Sequence, residues 1–110
     1  MELEIKEIKN TAVITVKGNM HADNAFELDK TLEEQIRLGK NRMILNLSEL
    51  QYISSAGLGF VMKATKKLMA KNGKISIVGL HGVVEEVFKI TGFYSIFSVF
   101  DTEEEALEQL

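Results

Sequence analysis

The sequence predicts an α/β domain built on a single-layer, mixed and largely parallel sheet of about five strands with about four helices, in the order β β α β α β α β α. Three observations carry that expectation. Stretches with apolar residues at helical spacing alternate with short β-branched runs, a tight turn separates the first two runs, and helical stretches end on Gly. Alternation of this kind calls for right-handed crossovers between parallel strands, and the opening hairpin supplies one antiparallel pair.

The elements follow in order. Leu3, Ile5 and Ile8 sit among Glu and Lys, and Val13-Ile14-Thr15-Val16 follows Asn10-Thr11, which fits two strands around a turn, the first an exposed edge. Gly18 is expected to end the second strand. From about Ala22 to Leu38, Ala25, Leu28, Leu32 and Ile36 recur at helical spacing, and Gly39 supplies the stop. Met43 to Leu47 is a nearly continuous apolar run, expected of a strand buried on both faces. A second helix is expected from about Gly57 to Lys71, with Leu58, Val61, Met62, Thr65, Leu68 and Met69 inward, before Asn72-Gly73. Lys74 to Val78 reads as a strand, Gly82 to Ile90 as a helix ended by Gly92, and Ile96 to Phe100 as a last short strand. Thr102 and Glu105 have the spacing of a capping box, which opens a C-terminal helix through Leu107 and Leu110.

Composition narrows the function. The 110 residues fit one domain spanning 1–110, without linkers or repeats. The chain has no Cys, and its two His, at 21 and 81, lie on different elements, so neither a thiolate nucleophile nor a metal site is expected, and no cofactor. Thirteen basic against 16 acidic residues give a net charge of −3, the wrong sign for a nucleic-acid module. The opening residues alternate charged with apolar, unlike a signal peptide, and no run approaches the ~20 apolar residues of a membrane span. A cytoplasmic domain without a nucleic-acid or membrane partner is the expectation.

One segment breaks the local rules: Tyr52-Ile53-Ser54-Ser55-Ala56-Gly57-Leu58-Gly59. Two hydroxyls stand where the second helix needs an N-cap, and two glycines occupy its first turn despite costing up to ~1 kcal/mol each in a helix interior. Glycines at a helix start allow another backbone or a phosphate to come close, and free N–H groups there favour anions. The turn also lies at the carboxyl end of a strand, where open α/β sheets bind ligands. A purely structural role stands beside this one: the serines cap, and the glycines permit close helix–sheet packing. Enzymatic motifs fail on required residues. Met62 stands where both a P-loop and a dinucleotide fingerprint need Gly, and Ile53 where a nucleophile elbow does. None of Asp23, Asp29 and Asp101 is placed as a response-regulator receiver requires.

The stretch from Leu45 to Gly59 resembles the signature of the STAS domains, specifically the bacterial anti-sigma factor antagonists. Gly18-Asn19-Met20 and Phe88-Lys89-Ile90-Thr91-Gly92-Phe93 resemble two further family segments, and the likeness covers essentially the whole chain. The resemblance implies a STAS-like fold and a phosphorylation-regulated regulator of transcription, in stress response or sporulation. Its unphosphorylated form binds an anti-sigma factor that is also a serine kinase, freeing a sigma factor. Phosphorylation breaks that complex, and a serine phosphatase restores it. Such a protein is a kinase substrate, not an enzyme. In the family motif, Asp-Ser-Ser/Thr-Gly-Leu, the middle hydroxyl is phosphorylated. That position is Ser55 here, with Ser54 in place of the Asp and Ala56 in place of the following hydroxyl; Ser54 is the second choice of acceptor. A further acidic family position, after the second strand, matches His21, with Asp23 two residues on. The resemblance thus implies a partner surface comprising Met20, His21, Asp23, Ser54, Ser55, Ala56, Gly57 and Leu58.

Phe60 joins that surface on spacing. It lies about 200° from Leu58 around the helix, so Phe60, Lys63, Ala64 and Lys67 are expected on an outer face near Ser55. The structural alternative is that Phe60 packs under a neighbouring loop or helix. The lysines of this helix, Lys63, Lys66, Lys67 and Lys71, read as a solvated face. Two rival readings remain: a STAS module in another partner-switching or signalling assembly, and a small enzyme with Ser55 as nucleophile. The latter lacks a general base near the motif.

Overall fold

The computed structural model describes residues 1–109. Six strands form one mixed sheet: β1 (Glu2–Ile8), β2 (Thr11–Met20), β3 (Arg42–Asn46), β4 (Leu50–Ile53), β5 (Lys74–Val78) and β6 (Ser98–Phe100). Four helices accompany them: α1 (Phe26–Arg37), α2 (Ser55–Met69), α3 (Gly82–Ile90) and α4 (Glu103–Glu108), with one turn of 3₁₀-helix at Phe93–Ser95. The mixed, largely parallel architecture and the four helices are as the sequence predicts, with β4 as an additional strand.

The sheet runs in the order β1-β2-β3-β5-β6, with β1 antiparallel to β2 and the remaining pairs parallel. Lys9 and Asn10 both take positive φ, 50° and 67°, the geometry of a tight two-residue hairpin turn. Alternation along β3 then buries two faces. Met43 and Leu45 join the larger core with Leu28 and Leu32 of α1, Val61 and Leu68 of α2, and Val84 and Phe88 of α3. Ile44 turns to the opposite face, where Val13, Val78 and Ala106 of α4 enclose it. The run from Met43 is thus buried on both sides, as its unbroken apolar character requires.

Gly18 does not end β2. At φ +90° it marks a register shift, after which β2 continues to Met20. The register with β3 ends at Thr15, and from Gly18 onward β2 pairs with β4, Gly18 opposite Leu50 before the shift and Asn19 opposite Tyr52 and Met20 opposite Ile53 after it. This extra pairing brings the end of β2 and the start of α2 side by side.

Two helices begin elsewhere than their periodicity suggests. Residues 22–25 form a turn, so α1 starts at Phe26, and α2 starts two residues early, at Ser55. The inner side of α2 comprises Gly57, Leu58, Val61, Ala64, Thr65 and Leu68; Met62 is half-buried and Met69 exposed. At α4, Thr102 Oγ1 accepts from the Glu105 N–H at 3.2 Å, the cap expected from the spacing. Glu103 fastens α4 to the sheet, accepting from Asn46 Nδ2 at 2.7 Å and pairing with Lys6 Nζ at 3.0 Å. Leu110, expected in this last helix, lies outside the described residues.

Candidate functional site: the serine turn at the start of α2

The two adjacent hydroxyls have different fates. Ser54 is the N-cap of α2, extended at φ −83° and ψ 165°, with its Oγ accepting from the Gly57 N–H at 3.2 Å. Its own N–H donates to the Met20 carbonyl at 2.9 Å, which ties the cap to the end of β2. The residue is buried and its oxygen engaged. Ser55 is the first helical residue and is exposed; among the described residues its hydroxyl has no hydrogen-bond partner. One residue of offset therefore separates a structural hydroxyl from a presented one.

Beneath the turn, packing fixes the helix start. A Cβ added to Gly57 would overlap Met20 Sδ and lie 3.1 Å from Ile53 Cγ1. Met20 itself is fully buried. The close-packing role for the glycines thus holds at Gly57. It does not hold at Gly59, where an added Cβ meets nothing within 4 Å.

The residues expected on a partner surface divide accordingly. His21, Asp23 and Ser55 are exposed, and Ala56 and Phe60 are half-buried. Met20, Ser54, Gly57 and Leu58 are buried and shape the turn from below. Met20 is fully enclosed, and Ser54 and Leu58 keep only 7% and 6% of their surface, so these residues shape the turn that carries the exposed ones. Phe60 is half-buried and packs against the larger core. Its side of α2 packs on α1 and the larger core, so the expected outer face is an interhelical one. Lys63 Nζ lies 2.8 Å from Asp29 Oδ1 and 5.4 Å from the Phe60 ring centroid, while Lys67 Nζ lies 2.6 Å from Glu33 Oε2. The paired Asp29 carboxylate holds the Lys63 ammonium above its usual pKa. Two of the lysines read as a solvated face thus clamp one helix to another.

Two contributors escaped the sequence reading. Asn24 Oδ1 accepts from the His21 N–H at 2.8 Å, and its Nδ2 donates to the Asn19 carbonyl at 3.2 Å, which pins the loop beside the serine turn. Tyr52 is 41% exposed, and its ring centroid lies 5.4 Å from that of His21. An Asn just ahead of a helix is a turn signal that would have found the first. The second follows only from the β2–β4 pairing.

Electrostatically, α2 opens without an acidic residue in its first turn and carries Lys66 and Lys67 in its last. The N–H groups of Ser55 and Ala56 are among those a helix start leaves without intrahelical partners. The macrodipole adds a positive potential at that end, so negative charge arriving at Ser55 is favoured within the protein. Among the described residues no base contacts the hydroxyl, so nothing described in the turn activates Ser55 as a nucleophile. A depression of about 810 Å³ lies at the opposite end of the sheet, walled by the β1–β2 turn, the α1–β3 loop and the end of α4. It includes none of the serine-turn residues.

The STAS domain model matches residues 2–106. The chain belongs to the STAS domain family. This STAS domain is 37% identical over 106 residues to BtrV of Bordetella bronchiseptica, whose name describes an anti-sigma factor antagonist, covering 96% of this chain and 91% of that protein. An anti-sigma factor antagonist from Thermotoga maritima superposes with a TM-score of 0.92 at 24% identity, covering 97% of this chain and 92% of the other. The unphosphorylated and phosphorylated structures of the antagonist SpoIIAA, the latter from Bacillus, each superpose with a TM-score of 0.79 at 22% identity, over 98% of this chain. These cover 96% and 98% of the SpoIIAA chains. These relatives are named antagonists, not enzymes. No helix among the described residues is long and apolar enough to cross a membrane.

Proposed function

We propose that the protein is a phosphorylation-regulated anti-sigma factor antagonist with Ser55 as its acceptor. Unphosphorylated, it binds an anti-sigma factor that is also a serine kinase, and so releases a sigma factor. The kinase then transfers the γ-phosphoryl group of ATP to Ser55 Oγ; the hydroxyl proton passes to a base of the kinase, and ADP leaves. A phosphatase later hydrolyses the Oγ–P bond, returning the serine and inorganic phosphate.

The observation that carries this reading is the contrast between the two hydroxyls. A kinase must reach an oxygen that is exposed and not engaged in the fold. Ser55 meets both conditions, whereas Ser54 is 7% exposed and bonded to the Gly57 N–H. Ser54, standing where the family has Asp, keeps the cap but not the negative charge.

The switch is electrostatic. A phosphoserine adds about −1.5 to −2 charges at pH 7. At the start of α2 that charge meets free N–H groups and the positive end of the dipole, so the fold is retained. At an interface the same dianion must be stripped of water, which costs several kcal/mol without a cationic partner. At about 1.4 kcal/mol per decade, the complex weakens by orders of magnitude. SpoIIAA, solved in both forms, supports the first half: this chain superposes equally well on each.

Incubation with the anti-sigma factor kinase of the same organism and ATP, followed by peptide mass spectrometry, tests the acceptor. One phosphate on Ser55, absent from Ser55→Ala, is expected. A phosphate on Ser54, or none, refutes the assignment.

A further inference from the structure

Gly59 sits in the interior of α2, five residues into the helix, where only proline is a worse choice. Glycine earns such a place when the backbone needs a positive φ or when a neighbour leaves no room for a Cβ. Neither applies. Gly59 lies within a regular helix, and a Cβ built on it reaches nothing within 4 Å. The contrast with Gly57, two residues nearer the helix start, is direct: there Met20 and Ile53 fill the space.

The position of Gly59 says what the missing side chain leaves open. Residues four apart share a helix face, so Gly59 lies one turn beyond Ser55 on the same side, and both are exposed. The side packed on α1 carries Phe60 and Ala64, and the buried side carries Leu58, Val61 and Leu68. Gly59 therefore belongs to the surface that presents the acceptor hydroxyl.

We infer that Gly59 is a docking residue, at which the partner's chain lies against the bare α2 backbone one turn beyond Ser55. This rests on the reading of the protein as an antagonist that binds an anti-sigma factor. It adds a specificity device to that reading: any side chain at 59 holds the partner off by the thickness of a methyl group or more. The phosphate on Ser55 would then enter a contact already at van der Waals distance, with no gap to hold water or a counterion.

The test is Gly59→Ala, measured for thermal stability and for affinity to the purified anti-sigma factor kinase of the same organism by calorimetry, with Ser55→Asp in parallel. Alanine at an open helix position raises the melting temperature, by about 4 °C in a domain of this size. Affinity is expected to fall at least tenfold, and further in Gly59→Leu. A more stable Gly59→Ala that binds like the wild type overturns the docking role. So does a fall in melting temperature, which would make the glycine structural. Wild-type binding by Ser55→Asp would instead count against the antagonist switch, so the two ideas fail separately.

Discussion

Replacing Gly57 with alanine should destabilise the protein, against the trend for glycine in a helix. The added Cβ overlaps Met20 Sδ and comes within 3.1 Å of Ile53 Cγ1 and 3.2 Å of Met20 Cγ. A thioether at a surface would swing aside at little cost. Met20, however, is fully buried in the larger core, so moving it disturbs other core side chains. Overpacking of this kind costs about 1–3 kcal/mol, and the better helix propensity of alanine returns about 1. An overlap with a fully buried side chain falls at the upper end of that cost, so the net expectation is a loss of about 2 kcal/mol, read as a melting temperature lower by roughly 8–12 °C. Urea unfolding supplies the free energy, and Met20→Val supplies the control. Valine removes the sulfur that collides, so the double variant should recover about 1 kcal/mol relative to the sum of the single changes. A Gly57→Ala protein as stable as the wild type, with no coupling to Met20→Val, would refute the packing argument.

Three further outcomes are expected. Ser54→Ala should cost about 1 kcal/mol in chemical unfolding, because the Gly57 N–H loses its acceptor, yet leave phosphorylation at Ser55 intact. Phe60→Ala should lose roughly 2 kcal/mol, since the ring is half-buried against the core; an unchanged melting temperature would mean that it does not pack there. Acid should loosen α4 through Glu103. Burial pushes this carboxyl up, but the hydrogen bonds from Asn46 and Lys6 outweigh burial and hold it below the ordinary 4.5. A lowered folded value means stability present above the ordinary value and lost as pH falls through the folded one. Glu103→Gln should therefore flatten the loss of stability between about pH 5 and the folded value, measured by urea titration.

Much of this was legible in the sequence, and the failures share a cause. Periodicity and stop signals located α3 and β5 to the residue, and the alternation of elements gave the parallel sheet. β4 was missed because Leu50-Gln51-Tyr52-Ile53 is four residues long with only its ends buried, a pattern too short to show a period. Its partner was hidden as well, since Gly18 reads as a stop when taken alone and acts as a bulge once β4 is present. Spacing fixes the angular position of Phe60, but it reports direction around a helix and not which neighbour lies there. α1 does. Likewise, Ser54 and Ser55 were both marked as capping or accepting candidates, and only the helix boundary at Ser55 divides the roles. In each case the missing information was a contact between segments distant in the chain.

The central claim is that a phosphate on Ser55 excludes the partner and leaves the fold intact. The direct measurement is the affinity of the stoichiometrically Ser55-phosphorylated protein for the anti-sigma factor, by calorimetry, with an amide NMR spectrum of the same sample. The account predicts binding weakened at least a hundredfold, with amide dispersion retained and shifts confined to the residues around the start of α2. Undiminished affinity, or a spectrum collapsed throughout, would contradict it.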